Sequence, residues 1–140
     1  MNFDFKIKAY NIICIIVILL SFFFTCFSNP GIISKEIWNE KKITEKYKDL
    51  SRFNRCKICH IYTPKFMRSE HCDNCGLCIE KQIHHCFIFG KCVGKKNFFA
   101  YFSFVLFFII YWCRTFVLIL FAIYIKYFSI YKYFNLFAPW

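Results

Sequence analysis

A membrane protein in which two transmembrane α-helices flank a loop-rich, cysteine-rich domain is the fold class this sequence predicts, and three observations predict it. Of the 140 residues, 59% are hydrophobic and 24% aromatic, too apolar for a soluble domain of this length with a solvated surface. Two long apolar runs, residues 9–27 and 98–125, stand on either side of a polar stretch. That stretch, from Cys56 to Cys92, holds seven of the ten cysteines and all four histidines, at the short spacings by which a chain presents tetrahedral ligands to a metal ion. Phe, Ile, Lys, Asn and Tyr all have A/T-rich codons, so the abundance of phenylalanine alone carries little functional weight.

Residues 1–28 form the first predicted element, a transmembrane helix. Residues 9–27 carry no charge, and at about 1.5 Å per residue they cross the roughly 30 Å hydrocarbon core. Lys6 and Lys8 precede the run as they would in a signal peptide, but the apolar part is too long and no small-x-small cleavage site follows. The helix is expected to stop near Asn29-Pro30-Gly31. Residues 29–55 are expected to be a cytosolic linker, with 34–50 either a short surface helix or plain linker. Residues 56–97 are the cysteine-rich domain. Residues 98–125 contain neither Gly nor Pro, and a single charge, Arg114, so one long tilted helix is expected, with Arg114 snorkelling or facing a partner, and a boundary charge at the far interface favoured over a functional arginine. Residues 126–140 mix Lys and Tyr with apolar side chains and read as an interfacial tail. No internal repeat is visible.

Of the nineteen Lys and Arg, fourteen lie from Lys35 to Lys96, against seven acidic residues in the same stretch. Basic residues near helix ends stay in the cytoplasm, which puts the cysteine-rich domain in the cytosol and both termini on the other side. The cytosol is reducing, so these thiols are expected to bind metal and not to form structural disulfides. Cys14, Cys26 and Cys113 lie in the apolar runs and read as small packing residues. A basic zinc module also suggests nucleic acid. Here the charges alternate with Glu36, Glu40, Glu45 and Asp49 between two membrane spans, which fits a solvated face near anionic lipid and excludes a nucleic-acid role.

Two closed tetrahedral zinc sites need eight donors. Cys56, Cys59, Cys72, Cys75, Cys78 and Cys92 with two histidines supply them, leaving one thiol, Cys86, directly after His84-His85. A thiol beside imidazole is the usual setting of a nucleophilic cysteine.

These residues together resemble the DHHC-type protein S-acyltransferases, or palmitoyltransferases, named for an Asp-His-His-Cys motif. The resemblance covers residues 30–102: Asn29-Pro30-Gly31 after the first helix, Pro64 and Arg68, His71-Cys72-x2-Cys75-x2-Cys78, and His84-His85-Cys86-x5-Cys92-Val93-Gly94-x2-Asn97. It implies two structural Zn2+ ions, one on Cys56, Cys59, His71 and Cys78, the other on Cys72, Cys75, His85 and Cys92. Metal binding would then replace the apolar core that so short a segment cannot build. It also implies catalysis by Cys86, which takes the acyl group from palmitoyl-CoA or another long-chain acyl-CoA and passes it to a cysteine of a substrate protein, with His84 as base. The partners implied are acyl-CoA, substrate proteins and membrane lipid, in an endomembrane such as the endoplasmic reticulum or Golgi. A sixteen-carbon chain is worth on the order of 10 kcal/mol in the bilayer, and Phe98, Phe99 and Phe102 are candidates to line a cavity for it. His60 has no counterpart and reads as a solvated loop histidine.

The chain departs from the family in Ile83, where Asp would orient the histidine, in Phe87-Ile88 for Pro-Trp, in Gly90-Lys91 for a polar pair, and in two extra residues between Pro64 and Arg68. The usual four or more membrane helices and a Thr-Thr-x-Glu element are expected but not seen. Three states remain open: a truncated sequence, a divergent member that completes its cavity as a homo-oligomer, or a relic. The alternative to an enzyme is a catalytically silent, zinc-stabilised membrane adaptor. A redox protein is disfavoured because the ligand count leaves one free thiol.

Overall fold

The computed structural model describes the backbone of residues 3–137 and the side chains of residues 5–133. Leu19–Phe104 forms one compact unit, and the described residues on either side of it form another. Two helices, α1 (Phe3–Phe27) and α3 (Phe98–Phe137), are long and apolar enough to cross a membrane. Between them lie α2 (Glu40–Lys46) and six short strands, β1 (Phe53–Cys56), β2 (Ile61–Pro64), β3 (Ser69–Cys72), β4 (Leu77–Glu80), β5 (His84–Cys86) and β6 (Lys91–Val93).

The 25-residue helix α1 ends where Pro and Gly were expected to stop it. Asn29 Oδ1 accepts the backbone N–H groups of Gly31 at 2.8 Å and Ile32 at 2.9 Å, turning the chain out of the helix. α3 is longer than expected. It runs without a break through the first residues of the predicted tail, and residues 138–140 of that tail lie outside the described residues. At 1.5 Å per residue its 40 residues measure about 60 Å, twice the thickness of a hydrocarbon core. Arg114 faces a partner: its guanidinium donates to Asn11 Oδ1 and lies 4.5 Å from the centre of the Tyr10 ring. Cys14 is buried and Cys113 is exposed.

The domain expected to be loop-rich is built from three antiparallel hairpins, β1–β2, β3–β4 and β5–β6. They form a repeat that the sequence hides. Each first strand ends in a cysteine, and each pairs that cysteine with the residue that opens the second strand: Cys56 with Ile61, Cys72 with Leu77, Cys86 with Lys91. Each four-residue loop ends in a left-handed residue, His60 (φ 53°), Gly76 (φ 64°) or Gly90 (φ 62°). Strands this short do not display a readable alternation of apolar and polar residues, because cysteine and histidine ligands occupy the inward positions.

The stretch expected to be a linker is laced onto these hairpins. Ile33 donates to the Cys78 carbonyl and Glu80 to the Gly31 carbonyl, both at 2.9 Å, so residues 31–33 run along β4. Tyr62 donates to the Trp38 carbonyl at 3.0 Å, and Glu40 at the start of α2 holds Arg55 at 2.7 Å. The apolar core is small: Ile33 and Ile61 pack with Cys59 and Cys78, and Ile79 packs with Cys72 and Cys92.

Candidate metal centres and nucleophile

Strand alternation sorts the ligands. Adjacent residues on a strand point to opposite faces, so His71 and Cys72 of β3 turn to different sides. Across the hairpin His71 pairs with Cys78, and the Cys56-x2-Cys59 loop of β1–β2 approaches the same side. The His71 Nδ1 atom lies 3.3 Å from Cys59 Sγ and 3.7 Å from both Cys56 Sγ and Cys78 Sγ. On β5, His85 pairs with Cys92. Its Nδ1 atom lies 3.3 Å from Cys75 Sγ, 3.6 Å from Cys72 Sγ and 3.8 Å from Cys92 Sγ. The ligand atoms of each set lie within 4.8 Å of one another.

Each set fits a tetrahedral ion. Zinc with Zn–S of about 2.3 Å and Zn–N of about 2.05 Å has S···N edges of about 3.6 Å and S···S edges of about 3.8 Å. The observed S···N separations of 3.3–3.8 Å and the 3.5 Å between Cys75 and Cys92 sulfurs match that polyhedron. Without a cation the thiols of a set cannot all be anionic. Burial opposes ionisation of Cys56, but the Cys59 backbone N–H and the Cys78 thiol donate to it and hold its pKa below the ordinary value. At Cys78, burial and the neighbouring Cys56 and Cys59 push the pKa well above the thiol range. Cys72 and Cys92 repeat this division: burial opposes ionisation of Cys72, yet the Cys92 thiol and the Cys75 N–H lower its pKa, whereas burial, Cys72 and Cys75 raise that of Cys92. A divalent cation removes the conflict by holding every sulfur as thiolate.

The loop of the third hairpin carries no second cysteine. Where the first two loops have Cys56-x2-Cys59 and Cys72-x2-Cys75, it has Cys86-x2-Phe89. Cys86 therefore occupies the place of a metal ligand without a set to join. It is 8% exposed and packs with Phe89 and Val93 in a cluster that also takes in Phe22, Cys26, Phe98, Tyr101 and Phe104. His84 lies on the same face of β5 as Cys86, about 6.6 Å along the strand, and its ring meets Tyr101 edge-on with centres 5.4 Å apart. Ile83, the residue that departs from the motif, is 54% exposed and donates its N–H to Val93 at 2.9 Å.

Sequence reasoning missed Phe89 and Tyr101, and the repeat is the signal that would have found the first. A cavity of about 490 Å³ lies beside the motif, lined by Arg68, Lys81, Ile83, Lys95, Phe98 and Phe99 among others. Phe98 and Phe99 line it beside charged side chains, unlike the apolar cavity between helices expected for them, whereas Phe102 stacks on Phe98 and is half exposed. His60 is exposed, its ring 3.7 Å from Glu40.

Asn97 ties the β5–β6 hairpin to α3. It is 1% exposed, accepts the Gly94 N–H at 2.8 Å and donates to the Cys92 carbonyl at 3.0 Å. Lys91 ties the same hairpin to α1, its ammonium donating to the carbonyls of Cys26 at 2.7 Å and Ser28 at 2.8 Å.

Residues 49–139 match the family model described as DHHC palmitoyltransferase. The chain is 38% identical over 89 residues to palmitoyltransferase swf1 of Schizosaccharomyces pombe, covering 62% of this chain and 24% of that one. It is 31% identical over 110 residues to palmitoyltransferase ZDHHC8 of Mus musculus, covering 71% and 14%. The matched part thus spans about a quarter or less of the length of these curated relatives.

Proposed function

The chain belongs to the DHHC palmitoyltransferase family, and from that premise we propose that it is a protein S-acyltransferase with Cys86 as nucleophile and His84 as base. The observation that carries this reading is the third hairpin, which has the shape of a metal-binding hairpin, carries Phe89 where the other two loops carry their second cysteine, and packs Cys86 against the ends of two apolar helices. Eight of the other cysteines and histidines are gathered into the two metal-fitting sets, for which we propose structural Zn2+.

In the first half reaction Cys86 Sγ gives its proton to His84 and attacks the thioester carbonyl of a long-chain acyl-CoA such as palmitoyl-CoA. The bond from carbonyl carbon to coenzyme A sulfur breaks, and the departing thiolate takes up the proton. In the second, a cysteine of a substrate protein gives its proton to His84 and attacks the Cys86 thioester. The acyl group moves, and Cys86 leaves as thiolate and is reprotonated. One thioester replaces another, so both steps are close to isoenergetic. The basic residues of the polar stretch support a cytosolic hairpin domain, and membership of the family supports residence in an endomembrane such as the endoplasmic reticulum or Golgi.

The test is acyl transfer from a clickable palmitoyl-CoA to the purified, zinc-loaded protein. Hydroxylamine-sensitive label on the wild type and none on Cys86→Ala is expected. An orienting carboxylate is worth about 10⁴-fold in kcat in the serine-protease triad, so Ile83→Asp is expected to raise the rate of labelling. No label in any form, with zinc still bound, would leave the silent adaptor as the reading.

A further inference from the structure

Three facts about the β5–β6 hairpin concern its depth. First, Phe89 in its loop is 9% exposed and meets Phe22 of α1 at 5.2 Å and Phe104 of α3 at 5.3 Å between ring centres. Neither contact is at the end of its helix. From Phe22 to the end of α1 at Phe27 is about 7.5 Å of helix, and from the start of α3 at Phe98 to Phe104 is about 9 Å. Second, the polar residues that close the apolar runs, Ser28-Asn29 and Lys95-Lys96-Asn97, mark where the helices leave the hydrocarbon. The Lys91 ammonium sits at that level, on the Cys26 and Ser28 carbonyls. Third, beside the inserted Phe89, Phe87 is 82% exposed and Ile88 76% exposed.

We infer that Phe87 and Ile88 form a wedge that enters the lipid bilayer at the depth of the acyl-chain boundary and seats the Cys86 hairpin on the membrane surface. This rests on reading α1 and α3 as membrane spans. An immersion of about 7–9 Å is the depth at which interfacial apolar groups are held. Two large apolar side chains that would be a liability in water are there in their own solvent. Lys96, exposed at the mouth of α3, supplies positive charge that anionic headgroups favour, whereas the Lys95 ammonium is held by Glu80 at 2.5 Å. Cys86 is the residue next to the wedge, so an acyl donor reaches it from the bilayer side with its tail already in lipid. The β1–β2 hairpin supplies the contrast. Ile58 occupies the position of Ile88 and is likewise exposed, at 66%, but the loop residue after it is Cys59, held in a metal set, where the third hairpin has the helix-wedged Phe89.

The test places single tryptophans at Ile88, Ile58 and Leu19 of α1 in a chain whose native tryptophans, Trp38, Trp112 and Trp140, are replaced by Phe. The proteins are reconstituted in vesicles of phosphatidylcholine and phosphatidylserine, with or without lipids dibrominated high on the acyl chain. Emission of Ile88→Trp is expected to be blue-shifted and quenched by the brominated lipid, as at Leu19→Trp, while Ile58→Trp keeps its emission. Quenching at Ile88→Trp no greater than at Ile58→Trp, with Leu19→Trp quenched, would overturn the wedge and leave the spans standing. An unquenched Leu19→Trp would overturn the spans and the wedge with them.

Discussion

Replacing Gly94 by alanine adds one methyl group at the most crowded of the chain's four glycines. A Cβ there would overlap the Pro30 carbonyl oxygen and lie 2.6 Å from Ile79 Cγ2 and 3.1 Å from the Glu80 carbonyl oxygen. Two of these three atoms are backbone and cannot rotate away, and Ile79 is 1% exposed. Overpacking of this kind costs about 1–3 kcal/mol and sometimes more, and rigid neighbours place Gly94→Ala at the upper end, about 3 kcal/mol. At 4–8 °C per kcal/mol for a unit of this size, the unfolding midpoint falls by roughly 12–24 °C. Gly76 and Gly90 are the controls. Nothing stands within 4 Å of a Cβ at either, and their φ angles are +64° and +62°, so alanine there costs only the left-handed backbone, about 1–2 kcal/mol. The assay is thermal unfolding of the zinc-loaded protein in detergent, followed by release of zinc to a fluorescent chelator. A Gly94→Ala midpoint equal to or above those of Gly76→Ala and Gly90→Ala would refute the close approach of residues 30, 79 and 94.

Other perturbations reach the metal sets and the hairpin tethers. Cys56→Ser is expected to lower bound zinc from two ions per chain to one, and Cys72→Ser to remove the other, because each set draws on separate ligands; atomic absorption on the purified variants checks it, and an unchanged stoichiometry would refute the assignment. Zinc affinity is expected to fall as the pH is lowered. Cys78 and Cys92 hold their protons above the ordinary thiol range in the metal-free sets, so protons compete with the ion and binding releases them. Chelator competition at about pH 6 and about pH 8 reads this directly, and equal affinities would contradict it. Lys91→Met removes two charge-assisted bonds to the end of α1 and should cost about 1.5–3 kcal/mol; zinc-release midpoints measure it, and a midpoint within error of wild type would mean that those bonds do not hold the hairpin.

The long apolar helices and the cysteines and histidines of the two metal-fitting sets were legible in the sequence because their signals are local. An uncharged run from residue 9 to 27 and a gap-free run from residue 98 state their lengths outright, and cysteines two residues apart state their purpose. The far end of α3 was not legible, since Lys126 and Lys132 interrupt apolarity without interrupting helical hydrogen bonding. The hairpins were hidden for a different reason. In strands of three or four residues, ligands replace the alternating apolar side chains that would announce a strand, and the left-handed loop position that marks each hairpin is a histidine in one case and glycine in two.

The sequence by itself determined that two long apolar segments enclose eight candidate metal donors, six of them thiols, and a seventh thiol, because length, charge and spacing are properties of the chain alone. Which donors meet was decided by pleat and register. His71 and Cys72 are neighbours in sequence, yet they serve different sets because adjacent strand residues face opposite ways. The same alternation turns His85 toward Cys92 and sets His84 on the side of Cys86. Only tertiary packing put Phe89 between Phe22 and Phe104, distant residues whose burial against one another no local pattern in the chain encodes.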